Sequence, residues 1–451
     1  MAFNTEKYIQ LQSEKILERA TKFKKLYLEF GGKLFDEHHF SRCVPGFAPD
    51  TKIKMLTQIR GQVEVIISIF ADDIESGKKR HDVGLSYENY VIQLVGMFKE
   101  VGLCVNSVVI ARYRGQKAAT LFHKKLENLG IRAYFYKEID GYPTNMDVVL
   151  SDQGYGADPF IPTTKPIVVT TGPGANSGKM RVALCQIYHE LKRGNKVGYA
   201  KYETLPVWNL PLKHPINLAY EASTVNINDV TMIDNYHFEH YGVVAVTYNR
   251  DNESFPLLRT MFRRMYGKDI YNSPTDMGVN MVGFCIDDMP VAEAASRSEV
   301  IRRYYETMCY YKQGVVGKEA VREVAYHDLA PRYVLEEGRC AFPGLVGALP
   351  FTAEDDPVDL VQTSVPDEVH QRAGAADFDV VGVGADCQHA VGRGVRPFEA
   401  HAEHYMDTAS ASPPWTRRPG SQTCHGAVPL SCSDSSHCLS LRVSMGAQNP
   451  S

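Results

Sequence analysis

The chain has 451 residues, 44% of them apolar and 23% charged. That is close to the globular average and enough to bury a large core, so a small disulfide-stapled module is excluded. Lysine and arginine number 49 against 53 acids, a net charge of −4, which leaves no basic field for nucleic acid or an anionic bilayer to condense on. The start is charged at nearly every turn, no run approaches ~18 apolar residues, and the five cysteines before residue 330 sit singly. The expectation is a cytoplasmic protein with neither nucleic acid nor membrane as partner.

In chain order, Ile9, Ile16, Leu17, Ala20 and Phe23 fall at helical spacing and predict an amphipathic helix from Thr5 to Phe23. Strand signals follow at Leu26 to Phe30, Val63 to Phe70, Ser107 to Tyr113, Arg132 to Tyr136, Asp147 to Leu150, Ile167 to Thr171 and Lys196 to Ala200. Most are β-branched or aromatic runs suited to burial on both faces. Helices fit between them at Tyr87 to Val101 capped by Ser86, Gln116 to Leu129 closed by Gly130, and Gly178 to Arg193 closed by Gly194. Such alternation predicts an α/β fold, a largely parallel sheet with flanking helices, in which ligands favour the carboxyl ends of the strands. After Pro211 the periodicity turns helical (Pro215 to Ala222, Phe255 to Tyr266, Val291 to Tyr311), predicting a helical subdomain. The divisions read are 1–212 for the α/β part, 213–330 for the helical part and 331–451 for an irregular tail.

The tail stands apart in composition. All 24 lysines lie at or before Lys318, the last isoleucine is Ile301, and the text then turns rich in Gly, Ala, Ser, Pro, Arg and Cys. This reads as a GC-rich segment out of frame or a foreign exon, with a disordered extension as the rival. Cys424-His425 with His437-Cys438 invites a zinc reading, but no Cys-x2-Cys pair supports it.

The strongest chemical signal is Ile167-Val-Val-Thr-Thr-Gly-Pro-Gly-Ala-Asn-Ser-Gly-Lys-Met180, an apolar strand entering a glycine-rich turn that opens a helix. Unpaired N–H groups at a helix start, together with the positive end of its dipole, suit a phosphate. Gly172, Gly174, Ser177, Gly178 and Lys179 are the expected cofactor-binding residues, with Lys179 reaching the outer phosphates as in a Walker-type loop. Pro173 and Met180 depart from that pattern, Met180 replacing the hydroxyl residue that normally holds magnesium. Glu203, at the end of the next strand, is the expected metal ligand, Ser177 and Thr171 being further oxygen donors. A Gly-Pro turn that merely caps a helix is the structural alternative.

Together with that turn, Leu28-Glu-Phe-Gly-Gly-Lys-Leu-Phe-Asp36, Gly198-Tyr-Ala-Lys-Tyr-Glu-Thr204, Trp208-Asn-Leu-Pro-Leu-Lys-His-Pro-Ile-Asn217 and Ser273-Pro-Thr-Asp-Met-Gly-Val-Asn280 resemble the uncharacterised bacterial family labelled domain of unknown function eighteen-forty-six. The resemblance covers about residues 4–318, and the family's carboxyl-terminal domain is not recognisable. It implies an α/β protein with a helical part and no assigned reaction.

Other constellations are weaker. Asp36-Glu-His-His39 and Arg42 offer acid-base groups, His39 among them, but adjacent histidines diverge and do not meet one ion. Arg250 and Asp251 follow an apolar run and face any cleft, or else pair with each other. Ser273 and Pro274 read as a helix start, and His214 before Pro215 as another. The stripe Tyr304, Tyr305, Met308, Tyr310 and Tyr311 reads as core or oligomer contact.

The function expected is binding of ATP or another nucleotide with magnesium, or of a phosphorylated small molecule. The chemistry would be phosphoryl transfer or an ATP-dependent ligation, with Lys201, Arg250 and His39 as catalytic groups. The alternative is a non-enzymatic scaffold that forms a homo-oligomer and uses the turn only structurally.

Overall fold

The buried runs of the sequence assemble into one sheet. The computed structural model describes residues 1–80, 83–224 and 229–312, with side chains through residue 307. The elements are α1 (Thr5–Thr21), β1 (Lys25–Phe30), α2 (His38–Cys43), α3 (Thr51–Gln58), β2 (Val63–Phe70), α4 (Ala71–Glu75), α5 (Tyr87–Glu100), β3 (Cys104–Tyr113), α6 (Lys117–Asn128) and β4 (Ala133–Lys137). They continue with α7 (Met146–Val149), β5 (Ile167–Thr171), α8 (Lys179–Lys192), β6 (Val197–Tyr202), α9 (Pro215–Thr224), β7 (Thr231–Ile233), α10 (Asn235–Tyr241), β8 (Val246–Tyr248), α11 (Asn249–Tyr266), α12 (Pro274–Met277) and α13 (Met289–Lys312).

Six strands pair in the order β4-β3-β2-β5-β1-β6, every pair parallel. Side chains alternate across it, as the pleat requires. Leu26, Leu28, Val65, Ile67 and Val169 pack with α1, α3, α5 and α6 on one face. Tyr27, Ile66, Val168 and Tyr199 pack with α8 and α11 on the other. All eight residues of β2 are buried, which explains a run too apolar to alternate.

The strand order positions the site. From β1 the chain crosses to β2 on one side, through α3. From β5 it crosses over β1 to β6 on the other side, through α8 on the opposite face. The adjacent strands β1 and β5 therefore send their loops apart and open a crevice at their carboxyl ends, the place where open α/β sheets take ligands.

Several local expectations change. The run Asp147 to Leu150 is not a strand. It lies in α7, whose Asn145 cap accepts the Val148 N–H at 3.4 Å, and four apolar residues cannot by themselves choose between helix and strand. The helix expected from Phe255 starts at Asn249 and runs through Pro256, so Arg250 and Asp251, just past the end of β8, stand on its first turn. Ser86 holds the cap position of α5, but its hydroxyl accepts from Asn89 Nδ2 at 2.9 Å instead of from a helix N–H. Ser273 does cap α12, accepting from Asp276 N at 3.1 Å, and His214 precedes α9 as a helix start. The described residues from 213 to 312 are mainly helical and also hold an antiparallel pair, in which β8 falls on the apolar run before Arg250 while its partner β7 was not announced by periodicity. The tail 331–451, with its zinc reading, lies outside the described residues, as do the side chains of Met308, Tyr310 and Tyr311.

Candidate functional site

A cavity of about 830 Å³ opens at the carboxyl ends of β1, β2, β3, β5 and β6 and is walled on its far side by α9 and α11. Gly31 and Gly32 after β1, Phe70, Arg112, the turn Ala175 to Lys179, and Glu203 to Leu205 form the sheet side. Tyr220, Arg250, Asp251, Leu257, Leu258 and Met261 form the helix side.

The glycine turn is shaped first by packing. A Cβ on Gly172 would lie 2.5 Å from the Ser68 carbonyl oxygen, and Gly178 sits at φ +85° with Phe70 beside it, so both positions demand glycine for structural reasons alone. Ser177 is buried, and its hydroxyl donates to the Gly174 carbonyl at 3.1 Å. The N–H groups of Ala175, Ser177, Gly178 and Lys179 donate to no described atom, as befits a helix start. Lys179 is half-buried on the cavity wall, and its ammonium donates to the Gly174 carbonyl at 3.0 Å. Burial pushes its pKa below the ordinary lysine value, only partly offset by Glu29 and Glu203.

Lys201, at the end of β6, is the opposite case. It is 8% exposed, and its Nζ lies 2.8 Å from both Asp251 oxygens, 2.7 Å from Tyr248 Oη and 3.3 Å from Glu203 Oε1. Burial works against its charge, but Asp251 and Glu203 outweigh it and hold the ammonium above its usual pKa. Tyr248 donates in turn to Glu203. Burial lifts the Glu203 carboxyl above its usual range, with Lys201 opposing and Asp251 adding to the rise. Arg250 lies on the helix side of the cavity. It reaches Asp229 at 3.1 Å and lies over the Tyr248 ring, 4.4 Å from the centroid.

His39 also borders the cavity, but its Nδ1 lies 3.1 Å from Glu299 Oε1 on α13, and burial pushes its pKa down despite that carboxylate. His38 is exposed, so the two histidines diverge as their adjacency requires. The structure thus brings Lys179, Lys201, Glu203 and Arg250 to one cavity, with Gly178 and Ser177 on its wall and His39 at a separate pair. The groups to which the sequence assigned no role are Glu29, which accepts from Tyr199, and Tyr248 and Asp229. For Glu29 a signal existed, a charge inside an otherwise apolar strand, which is costly unless it has a partner.

Arg181 fixes the first turn of α8 from behind. Its Nη2 reaches Asp158 Oδ2 and the Lys137 carbonyl, each at 2.7 Å, while Asp158 also accepts the Lys137 N–H at 2.8 Å. Counted over the wall, Glu29, Glu37, Glu138, Asp140, Glu203, Asp229, Asp251 and Glu253 face Lys52, Arg112, Lys179, Arg181, Lys201 and Arg250. Acids outnumber bases. A bare polyanion gains little from such walls, whereas a phosphate carrying a cation suits them.

Parallel strands around a crevice of paired charges define an α/β protein with a ligand-sized cavity at its topological switch point. The family model described as "Domain of unknown function DUF1846, N-terminal" matches residues 1–327, and the chain belongs to that family. Similar relatives are the UPF0371 proteins of Clostridium botulinum strains Alaska E43, Eklund 17B and ATCC 19397. Each is 52% identical over 320 residues, which is 71% of this chain and 64% of the relative. The chain therefore spans under two thirds of their length. Among the described residues no helix is long and apolar enough to cross a membrane.

Proposed function

We propose that the cavity binds a phosphorylated small molecule, a nucleotide being one form of it, with the phosphate at the turn Gly174 to Lys179. The observation that carries this reading is that Lys179 and the open N–H groups at the start of α8 border a cleft of ligand size, where a phosphate can take charge-assisted hydrogen bonds from both. The chemistry proposed is phosphoryl transfer or ATP-dependent ligation, which rests on positioning and charge stabilisation. Lys201 and Arg250 would orient the substrate, with His39 a more remote acid-base group. Among the described residues no three His, Cys, Asp or Glu side chains form a metal-holding group. Magnesium would arrive with the phosphate, taking Glu203 as its protein carboxylate and phosphate or water oxygens for the rest.

The test is a thermal-shift panel of orthophosphate, ATP, GTP and sugar phosphates, with and without magnesium. A ligand at a hundred times its Kd raises the melting temperature by roughly 5 to 10 °C, and Lys179→Ala abolishes the rise. Flat curves across the panel overturn the reading.

A second reading, a homo-oligomeric scaffold, draws on a different observation. Phe238, Tyr241, Val243 and Val244 stand about half exposed on and after α10, a helix with no buried residue. Neighbouring apolar side chains left in water favour association.

A further inference from the structure

Three lysines stand on the cavity wall, and two are neutralised by carboxylates. Lys52 pairs with Glu37 at 2.8 Å, and Lys201 is enclosed by Asp251, Glu203 and Tyr248. Lys179 pairs with no described carboxylate. Its acceptor is the Gly174 carbonyl, on the same turn that presents the open N–H groups. We propose that Lys179 is an acylation site, its Nζ taking the acyl group from a small acyl phosphate whose phosphate docks on the N–H groups of the turn.

The geometry puts nucleophile and leaving-group cradle side by side. The nitrogen lone pair attacks the acyl carbon and the carbonyl carbon–oxygen bond to phosphate breaks. Phosphate leaves with the electron pair, and the proton lost from nitrogen passes to it, giving an amide and hydrogen phosphate. Two local features favour this lysine over the others. A docked acyl phosphate would hold its acyl carbon beside Nζ, which raises the effective concentration there, and no described carboxylate neutralises this lysine. The charged groups facing Nζ across the cavity are Glu29 on β1, Glu203 and Lys201 on and after β6, and Arg250 on α11. Acylation would remove the cation from the proposed phosphate site and so switch that site off. The phosphate half of this inference rests on the function proposed above; the amine half does not.

The experiment treats the full chain at neutral pH with acetyl phosphate and, separately, with the N-hydroxysuccinimide ester of acetic acid, and follows each lysine by peptide mass mapping. Lys179 is expected to acetylate at least roughly tenfold faster than Lys201 or the exposed Lys117, and excess orthophosphate is expected to slow its reaction with acetyl phosphate. Lys179→Arg should lose the adduct at this position while Lys201 and Lys117 acetylate at their wild-type rates. Lys179 leading with both reagents, with no protection by orthophosphate, would support the reactive amine and overturn the docked phosphate. Lys179 reacting no faster than Lys117 would overturn the acylation while leaving the thermal-shift test of phosphate binding intact.

Discussion

Lys201 shows how one buried charge organises its surroundings. A lysine placed in a fully buried strand is tolerable only because Asp251, Glu203 and Tyr248 converge on it. Lys201→Met would leave two carboxylates without their cation and should cost about 3–5 kcal/mol, read as a lower urea midpoint at unchanged slope. Adding Asp251→Asn should restore part of that loss, because the two residues are directly coupled. A Lys201→Met protein within about 1 kcal/mol of wild type would show that the cluster contributes little. The lysine itself was legible in the sequence as a charge closing an apolar run. Glu203 lies two residues along on the same segment, but Tyr248 and Asp251 arrive from some fifty positions onward, and nothing in a local pattern encodes such a pairing.

At the scale of elements, the strands were the most legible feature. The runs from Val63, Ile167 and Lys196 match β2, β5 and β6 closely, because burial on both faces leaves an unbroken apolar signature. What failed was punctuation. Pro256 masked the first turn of α11, which carries Arg250 and Asp251 into the site, and the short run at Asp147 was read with the wrong period.

The far end of α11 gives a pH test. Asp269 receives Arg259 at 2.9 Å and Arg263 at 2.7 Å, and the arginine hydrogen bonds draw its pKa down to about 2. A carboxylate whose pKa is lower folded than unfolded stabilises the fold above its unfolded value, ~3.9, and loses that contribution as pH falls towards the folded one. Asp269→Asn should therefore be less stable than wild type by about 0.5–1 kcal/mol at neutral pH, a figure reduced for solvent screening. In urea titrations the gap should narrow between pH 4 and pH 3. A gap independent of pH would assign the effect to something other than this charge.

For the molecule as a whole, the α/β class and the parallel sheet followed from the alternation of signals, but the strand order did not, and it is the order that creates the crevice between β1 and β5. The apolar face around α10 belongs to this scale too. If copies of the chain associate through it, the paired substitution Phe238→Ser with Val244→Ser should lower the mass measured by light scattering to that of one chain, with little change in unfolding midpoint because both side chains are already about half exposed. An unchanged oligomer would place the contact elsewhere, and a wild-type protein with the mass of one chain would remove the scaffold reading.

The divergence of the loops after β1 and β5 has a practical corollary. The two lips of the crevice come from stretches of chain more than a hundred residues apart, each rooted on its own strand, so either lip can be exchanged with that of a relative while the other stays as it is. Grafted chimaeras of this kind would turn ligand preference into a property that can be dissected one rim at a time.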